Sequence, residues 1–214
     1  EAITGFSRRQ SLPHWHRQPY SGPNSLGTRL NRPAYLFVDC FNRWFEPENA
    51  RSSENVLRKL GHEVVDLSDP DNLRPLCCGR TFLSQGMVEE ARKEAKRLVN
   101  AIRPALQARI PIIGLEPSCL LTLRDEFQAL FSKNEIRGLE RLAQMLPEFL
   151  SNYFEEKPNS LKFRALPFEQ VMYHGHCHEK AFGLTSTIER VLANLPGVHA
   201  QPVPGGCCGM ASAF

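Results

Sequence analysis

From residue 33 the chain alternates short apolar runs with longer amphipathic ones. "AYLFVD" (34–39) is a continuous apolar stretch of strand length, as expected of a strand buried on both faces. "SSENVLRKLG" follows, with Ser52 or Ser53 as N-cap, Val56, Leu57 and Leu60 at helical spacing, and Gly61 as the stop. "HEVVDL" (62–67) predicts a second strand, and a loop with Pro70 and Pro75 comes after it. Over 86–108, Met87, Val88, Ala91, Ala95, Leu98, Val99 and Ile102 share one helical face, with Pro104 expected to kink or end the helix. "IPIIGL" (110–115) is a third strand, and Leu120, Leu123, Phe127 and Leu130 mark a helix beyond it. Residues 138–154 read as helical, with a restart at Pro147.

This β-α-β-α-β-α order predicts an α/β fold with a parallel sheet under covering helices. The pattern begins again near residue 168. "QVMYHGHC" reads as a strand ending in cysteine, "TSTIERVLANLPG" as a helix ending near Gly197, and "VHAQPV" as a further strand. We therefore divide the chain into a linker or surface strap (1–33), a first repeat (34–160) and a second, incomplete repeat (161–214). The strap has no apolar period, and Pro13, Pro19, Pro23 and Pro33 punctuate it. Trp15 and Tyr20 are its candidate docking residues; His14 and His16 read as solvent-facing linker histidines.

Charge changes this picture little. The formal net charge is +3, but five arginines (8, 9, 17, 29 and 32) against Glu1 put +4 on the strap and leave −1 on the rest. No basic face argues for nucleic acid. No apolar stretch reaches the roughly 20 residues of a membrane helix, and no signal peptide is visible. A chain that starts at Glu1 and stops at Phe214 reads as a piece of a longer polypeptide.

The seven cysteines carry the chemistry. Cys40, Cys77-Cys78-Gly79 and Cys119 mark the first repeat; Cys177 and Cys207-Cys208-Gly209 mark the second. The spacings differ, with 36 residues between Cys40 and Cys77 and 29 between Cys177 and Cys207, so the correspondence lies in the order of elements. An odd count with two vicinal pairs fits a reducing compartment, where clustered cysteines bind metal or do redox chemistry. Each cysteine group follows a predicted strand, and ligands of open parallel sheets gather outside the carboxyl ends of strands. Neighbouring side chains of an extended segment point to opposite faces, so turning both inward needs the freedom of Gly79 or Gly209. Two adjacent thiolates can reach two irons of one cluster, whereas zinc sites space their cysteines two to four apart. Packing as small apolar residues would explain a single buried cysteine; it does not explain seven in a repeated order.

"VDC", "LCCG", "EPSC", "HGHCHEKA" and "GGCCGMASAF" resemble the cysteine-rich CCG domain over residues 34–214. That domain occurs in heterodisulfide reductase B, in the glycolate oxidase iron–sulfur subunit and in one subunit of the anaerobic glycerol-3-phosphate dehydrogenase. The resemblance is strongest to fused FAD-linked oxidases of the D-lactate or D-2-hydroxyglutarate dehydrogenase type. It implies that Cys40, Cys77, Cys78 and Cys119 ligate one iron–sulfur centre, of the 4Fe-4S type, and that Cys177, Cys207 and Cys208 belong to another. "PSCLLT" carries the single Cys119 where heterodisulfide reductase-like members have Cys-x-x-Cys, which favours a four-cysteine centre and counts against a thiol–disulfide active site. Some members hold zinc in one copy, so zinc, and with it a structural or docking module, remains the alternative. His174, His176 and His178 surround Cys177, and His178 is a further candidate ligand. Asp39 and Glu116 precede ligand cysteines and read as surface or capping residues rather than proton-transfer groups.

The resemblance implies an electron-transfer part of a flavin-dependent 2-hydroxy acid dehydrogenase. Its partners would be flavin and ferredoxin-like domains of the same polypeptide and a quinone or electron carrier. FAD would sit elsewhere in the parent protein, since no Gly-x-Gly-x-x-Gly follows a predicted strand. The implied location is cytoplasmic, peripheral at the inner membrane.

Overall fold

The computed structural model describes residues 14–24, 32–69 and 74–206. Strand β1 (Pro33–Phe37) leads into a short helix, α1 (Cys40–Trp44), then α2 (Pro47–Lys59) and β2 (Glu63–Asp66). Helices α3 (Arg80–Ser84) and α4 (Val88–Ala108) precede β3 (Ile112–Gly114), and α5 (Pro117–Arg124), α6 (Phe127–Leu130) and α7 (Leu139–Leu142) precede β4 (Ala143–Met145). These strands form one parallel sheet in the order β2-β1-β3-β4, with Leu36 opposite Asp66 on one side and Ile113 on the other. Helix α8 (Leu146–Glu156) closes this part, which is the α/β arrangement expected.

The apolar runs are continuous because the sheet is covered on both faces. Ala34, Leu36, Val38, Val64 and Ile113 pack with Ala50 and Leu57 of α2 on one side. Phe37 and Ile112 pack with Ala95, Leu98, Ile102 and Ala105 of α4 on the other. Successive strand residues alternate between these two cores, as the pleat requires.

A second unit repeats the order. Strand β5 (Gln170–Tyr173) leads into a short helix, α9 (Cys177–Ala181), then α10 (Thr185–Leu192) and β6 (His199–Pro202), with β5 and β6 parallel. It leans on the first unit through α10 against α8 and α9 against α5.

Several local expectations are corrected. Helix α2 starts at Pro47, not at Ser52 or Ser53; Ser53 is buried and its hydroxyl donates to the Asn49 carbonyl at 2.6 Å. A proline at the first helical position costs no hydrogen bond, so the helix begins a turn earlier. Pro104 does not end α4. It faces solvent, as does Asn100, whose carbonyl loses its partner to the ring, while buried Leu98, Ile102 and Ala105 hold the helix on the core. The helix after "EPSC" is broken at Asp125 into α5 and α6. Within 138–154 the edge strand β4 interrupts the helical run, and α8 restarts at Leu146 with Pro147 in its first turn. The strand expected to reach Cys177 stops at Tyr173.

The strap docks through Tyr20, which is buried and donates to Glu54 Oε2 at 3.0 Å. Trp15 packs on Trp44 and Phe45, yet stays 69% exposed. Arg43 seals the strap, pairing with Asp66 at 2.8 Å and donating to the Tyr20 carbonyl at 3.0 Å. No helix among the described residues is long and apolar enough to cross a membrane.

Candidate functional site

Each described cysteine group stands at the start of a helix. Cys40 is the first residue of α1, whose N-cap is Asp39; that carboxylate accepts from the Phe41 and Asn42 amides at 2.9 and 3.1 Å and from Asn42 Nδ2 at 2.6 Å. Cys119 lies in the first turn of α5, capped by Glu116, which accepts from the Ser118 amide at 3.1 Å and its hydroxyl at 2.6 Å. Gly114 lets α5 close onto β3: a Cβ there would lie 2.6 Å from Leu120 Cδ1. Cys177 opens α9, capped by His176. Asp39 and Glu116 thus orient the backbone that presents the thiols, and burial pushes the Asp39 carboxyl up from its ordinary range.

The Cys-Cys-Gly loop turns on Gly79, whose φ of +82° is left-handed. A Cβ at this position would also meet the Ala91 carbonyl oxygen at 2.9 Å. Glycine is therefore required twice, by conformation and by the closeness of α4. The turn aims amides at sulfur, with Gly79 N–H 3.4 Å from Cys77 Sγ and Arg80 N–H 3.5 Å from Cys78 Sγ.

These elements bring four thiols of distant sequence together. Cys40 lies beside Cys77, Cys77 beside Cys78 and Cys78 beside Cys119. The Cys77 thiol is pushed below its ordinary range by the neighbouring Cys40 and then Cys78, aided by the Gly79 amide and the Arg74 cation. Cys77 pushes the Cys40 thiol up, and Cys119 and then Cys77 push the Cys78 thiol up, with loss of solvent around each sulfur adding to both shifts. Cys40 is exposed and Cys78 is buried, so the row runs inward from the surface. Among the described residues no group of three or more His, Cys, Asp and Glu side chains is arranged to hold a metal ion; the four thiols neighbour one another pair by pair instead.

Around Cys177, the His176 and His178 rings stack at 5.1 Å, and His176 Nδ1 accepts from the His178 amide at 3.2 Å. The buried Glu179 carboxylate accepts from the His176 amide at 3.1 Å. Burial, then the nearby Arg80 cation, lowers the His178 imidazole below its usual range. Cys207, Cys208 and Gly209 lie outside the described residues.

The chemistry of the donor set fits an iron–sulfur group: four thiols that neighbour one another pair by pair, one of them pushed below the usual thiol range, amides aimed at two sulfurs, and glycine where a Cβ would fill the cradle. The sequence reading missed Arg74, Glu94 and Arg97, which flank this loop. The only hint was polar residues at three-residue spacing beside the apolar stripe of α4.

Residues 34–124 match the CCG family model, described as a cysteine-rich domain. The resemblance read from the motifs is thereby supported over the first repeat. The chain is 26% identical over 219 residues to a subunit of the anaerobic glycerol-3-phosphate dehydrogenase of Escherichia coli K12, an alignment covering 100% of this chain and 53% of that protein. It is 26% identical over 187 residues to lactate utilization protein A of an Exiguobacterium species, covering 84% and 71%. It is 28% identical over 191 residues to a D-2-hydroxyglutarate dehydrogenase of Pseudomonas putida, covering 86% and 17%. The chain spans about half the length of the first of these relatives. No solved structure matches it.

Proposed function

We propose that Cys40, Cys77, Cys78 and Cys119 hold an iron–sulfur cluster of the four-iron type, and that Cys177, Cys207 and Cys208 belong to a second centre. The chain then conducts electrons within a flavin-dependent 2-hydroxy acid dehydrogenase, from the flavin toward a quinone or carrier protein, on the cytoplasmic side. The observation that carries this reading is the row of four neighbouring thiols gathered past the carboxyl ends of β1, β2 and β3. Bound there, a cluster supplies one-electron transfer at a potential set by its surroundings. The chain's own residues provide those surroundings. The Gly79 and Arg80 amides donate to Cys77 and Cys78 sulfur, Asp39 and Glu116 fix the helices that present Cys40 and Cys119, and the buried Leu120 and Leu121 belong to the core cluster that holds Cys78 and packs on Cys119. Cys40, exposed beside a Phe41 that is itself 60% exposed, is the edge a redox partner reaches.

Anaerobically purified chain, assayed for iron, acid-labile sulfide, zinc and visible absorption, tests the reading. The expected result is iron with sulfide and a broad visible band that bleaches on reduction, with less iron after Cys78→Ser or Cys119→Ser. Stoichiometric zinc and a colourless solution would replace it with a structural module. The chain alone should not oxidise D-lactate or D-2-hydroxyglutarate, and turnover without added flavoprotein would overturn the assignment of substrate chemistry to another domain.

A further inference from the structure

The loop that presents Cys77 and Cys78 is fastened to one stripe of α4. Ala91 meets Gly79, and Glu94 and Arg97 follow at successive three-residue steps, hence on adjacent turns of the same face. Arg97 donates from Nε to Asp69 Oδ2 at 2.8 Å, from Nη1 to Glu94 Oε2 at 2.9 Å and from Nη2 to the Arg74 carbonyl at 2.9 Å. Glu94 in turn accepts from the Arg74 guanidinium. One guanidinium therefore grips both Asp69, just past β2, and Arg74, three residues before Cys77.

The arrangement is more than surface ion pairing. Glu94 is 6% and Asp69 7% exposed. A buried carboxylate that loses its cation is left uncompensated, so such pairs hold geometry firmly even when they add little net stability. The planar fork of Arg97 satisfies three acceptors at once, which a lysine ammonium on a flexible stem does not reproduce. No atom of Arg97 is hydrogen-bonded to sulfur; its influence passes through the loop.

We propose that Arg97, with Glu94, is a positioning residue for the metal centre: by holding Asp69 and Arg74 it keeps Cys77 and Cys78 in register with Cys40 and Cys119, and it keeps the Arg74 cation on the Cys77 side. This inference rests on the iron–sulfur reading above. It assigns function to a salt-bridge network that lies outside the cysteine motifs.

The test compares wild-type chain with Arg97→Gln, Arg97→Lys, Glu94→Gln and Leu57→Ala, all purified anaerobically. Iron and sulfide per chain are measured, together with a potentiometric titration of the visible band. Arg97→Gln and Glu94→Gln should each lower iron per chain at least twofold. The cluster that remains should titrate at a changed midpoint, while far-ultraviolet circular dichroism stays that of wild type. Arg97→Lys should recover part of the iron. Leu57 lies in the core across the sheet, so Leu57→Ala destabilises the fold without touching the loop and should keep the wild-type midpoint. Unchanged iron and midpoint in Arg97→Gln would overturn the inference, as would an equal loss and shift in Leu57→Ala. Wild-type chain without iron and sulfide would instead remove the iron–sulfur reading, and this inference would fall with it.

Discussion

The two repeats follow one plan and are buried very differently. In both, a strand is followed by a short helix that begins on a cysteine, then a longer helix, then a parallel strand leading to Cys-Cys-Gly. In the first, Ala34 and Leu36 of β1 are wholly buried in the core on one face of the sheet and Phe37 is buried in the core on the other. In the second, Met172 of β5 is 67% exposed and Phe168 48%. The strand–cap–cysteine turn therefore does not depend on a deep core. Capping groups and local turns make it, as Asp39 does for Cys40 and His176 for Cys177. Rigidity, by contrast, comes from covered sheet faces, and the first repeat should carry most of the stability.

The largest effect expected from this contrast is in the cores. Leu57→Ala removes a wholly buried side chain from the first repeat and should cost about 3 kcal/mol, whereas Met172→Ala should stay within about 0.5 kcal/mol. Urea unfolding of both variants measures the difference, and equal costs would break the comparison. Glycines sharpen it. Gly79 has a φ of +82° and a carbonyl oxygen 2.9 Å from where a Cβ would sit, while Gly183, after α9, has a φ of +69° and open space. Gly79→Ala should cost about 2 kcal/mol and Gly183→Ala about 1 kcal/mol. The caps come next. Asp39→Ala should cost about 1.5 kcal/mol, since the carboxylate accepts three hydrogen bonds in a buried setting; His176→Ala should cost about 0.5 kcal/mol, since its ring caps α9 from a less buried position.

What could be read in advance divides along the same line. The buried strands of the first repeat announced themselves as apolar runs because both faces are covered, and Gly79 stood out because two neighbouring cysteines cannot both turn inward without it. The five-residue helices α1 and α3 gave no periodic signal; they are too short to show one. Strand β4 was hidden because three residues, Ala143 to Met145, become a strand only by pairing with β3. The true start of α2 was masked by serines that look like caps, one of which turned its hydroxyl back onto the helix. Arg97 and Glu94 were illegible for a different reason. Their partners Asp69 and Arg74 lie 20 or more residues away, and a charged pair at that distance has no signature in a single chain.

The smallest predicted effect concerns pH, at the seam where α8 packs against the end of α2. His62 Nδ1 donates to the Arg32 carbonyl at 3.0 Å, so Nε2 is the bare nitrogen, buried and without a hydrogen-bond partner. The ring lies edge-on to Phe149 and Tyr153, and the charges of Arg32 and Lys157 stand nearby. Burial first, then those two cations, lowers its folded-state pKa below the usual 6.5. The sign follows: above about pH 6.5 the ring is neutral in both states and its contribution is complete; below that, the unfolded chain binds a proton that the folded one refuses. Stability should fall as the pH drops below 6.5 and level off beneath the lowered folded value. A single proton gives at most about 1.4 kcal/mol per pH unit, and because the ring is only partly buried the loss should be well under about 1 kcal/mol in all. Unfolding curves between about pH 7 and 5 should show this slope in the wild type and a flatter one in His62→Phe, which keeps the aromatic contacts and removes the titration. An equal slope in both would place the pH dependence elsewhere and leave the seam with α8 held by packing alone.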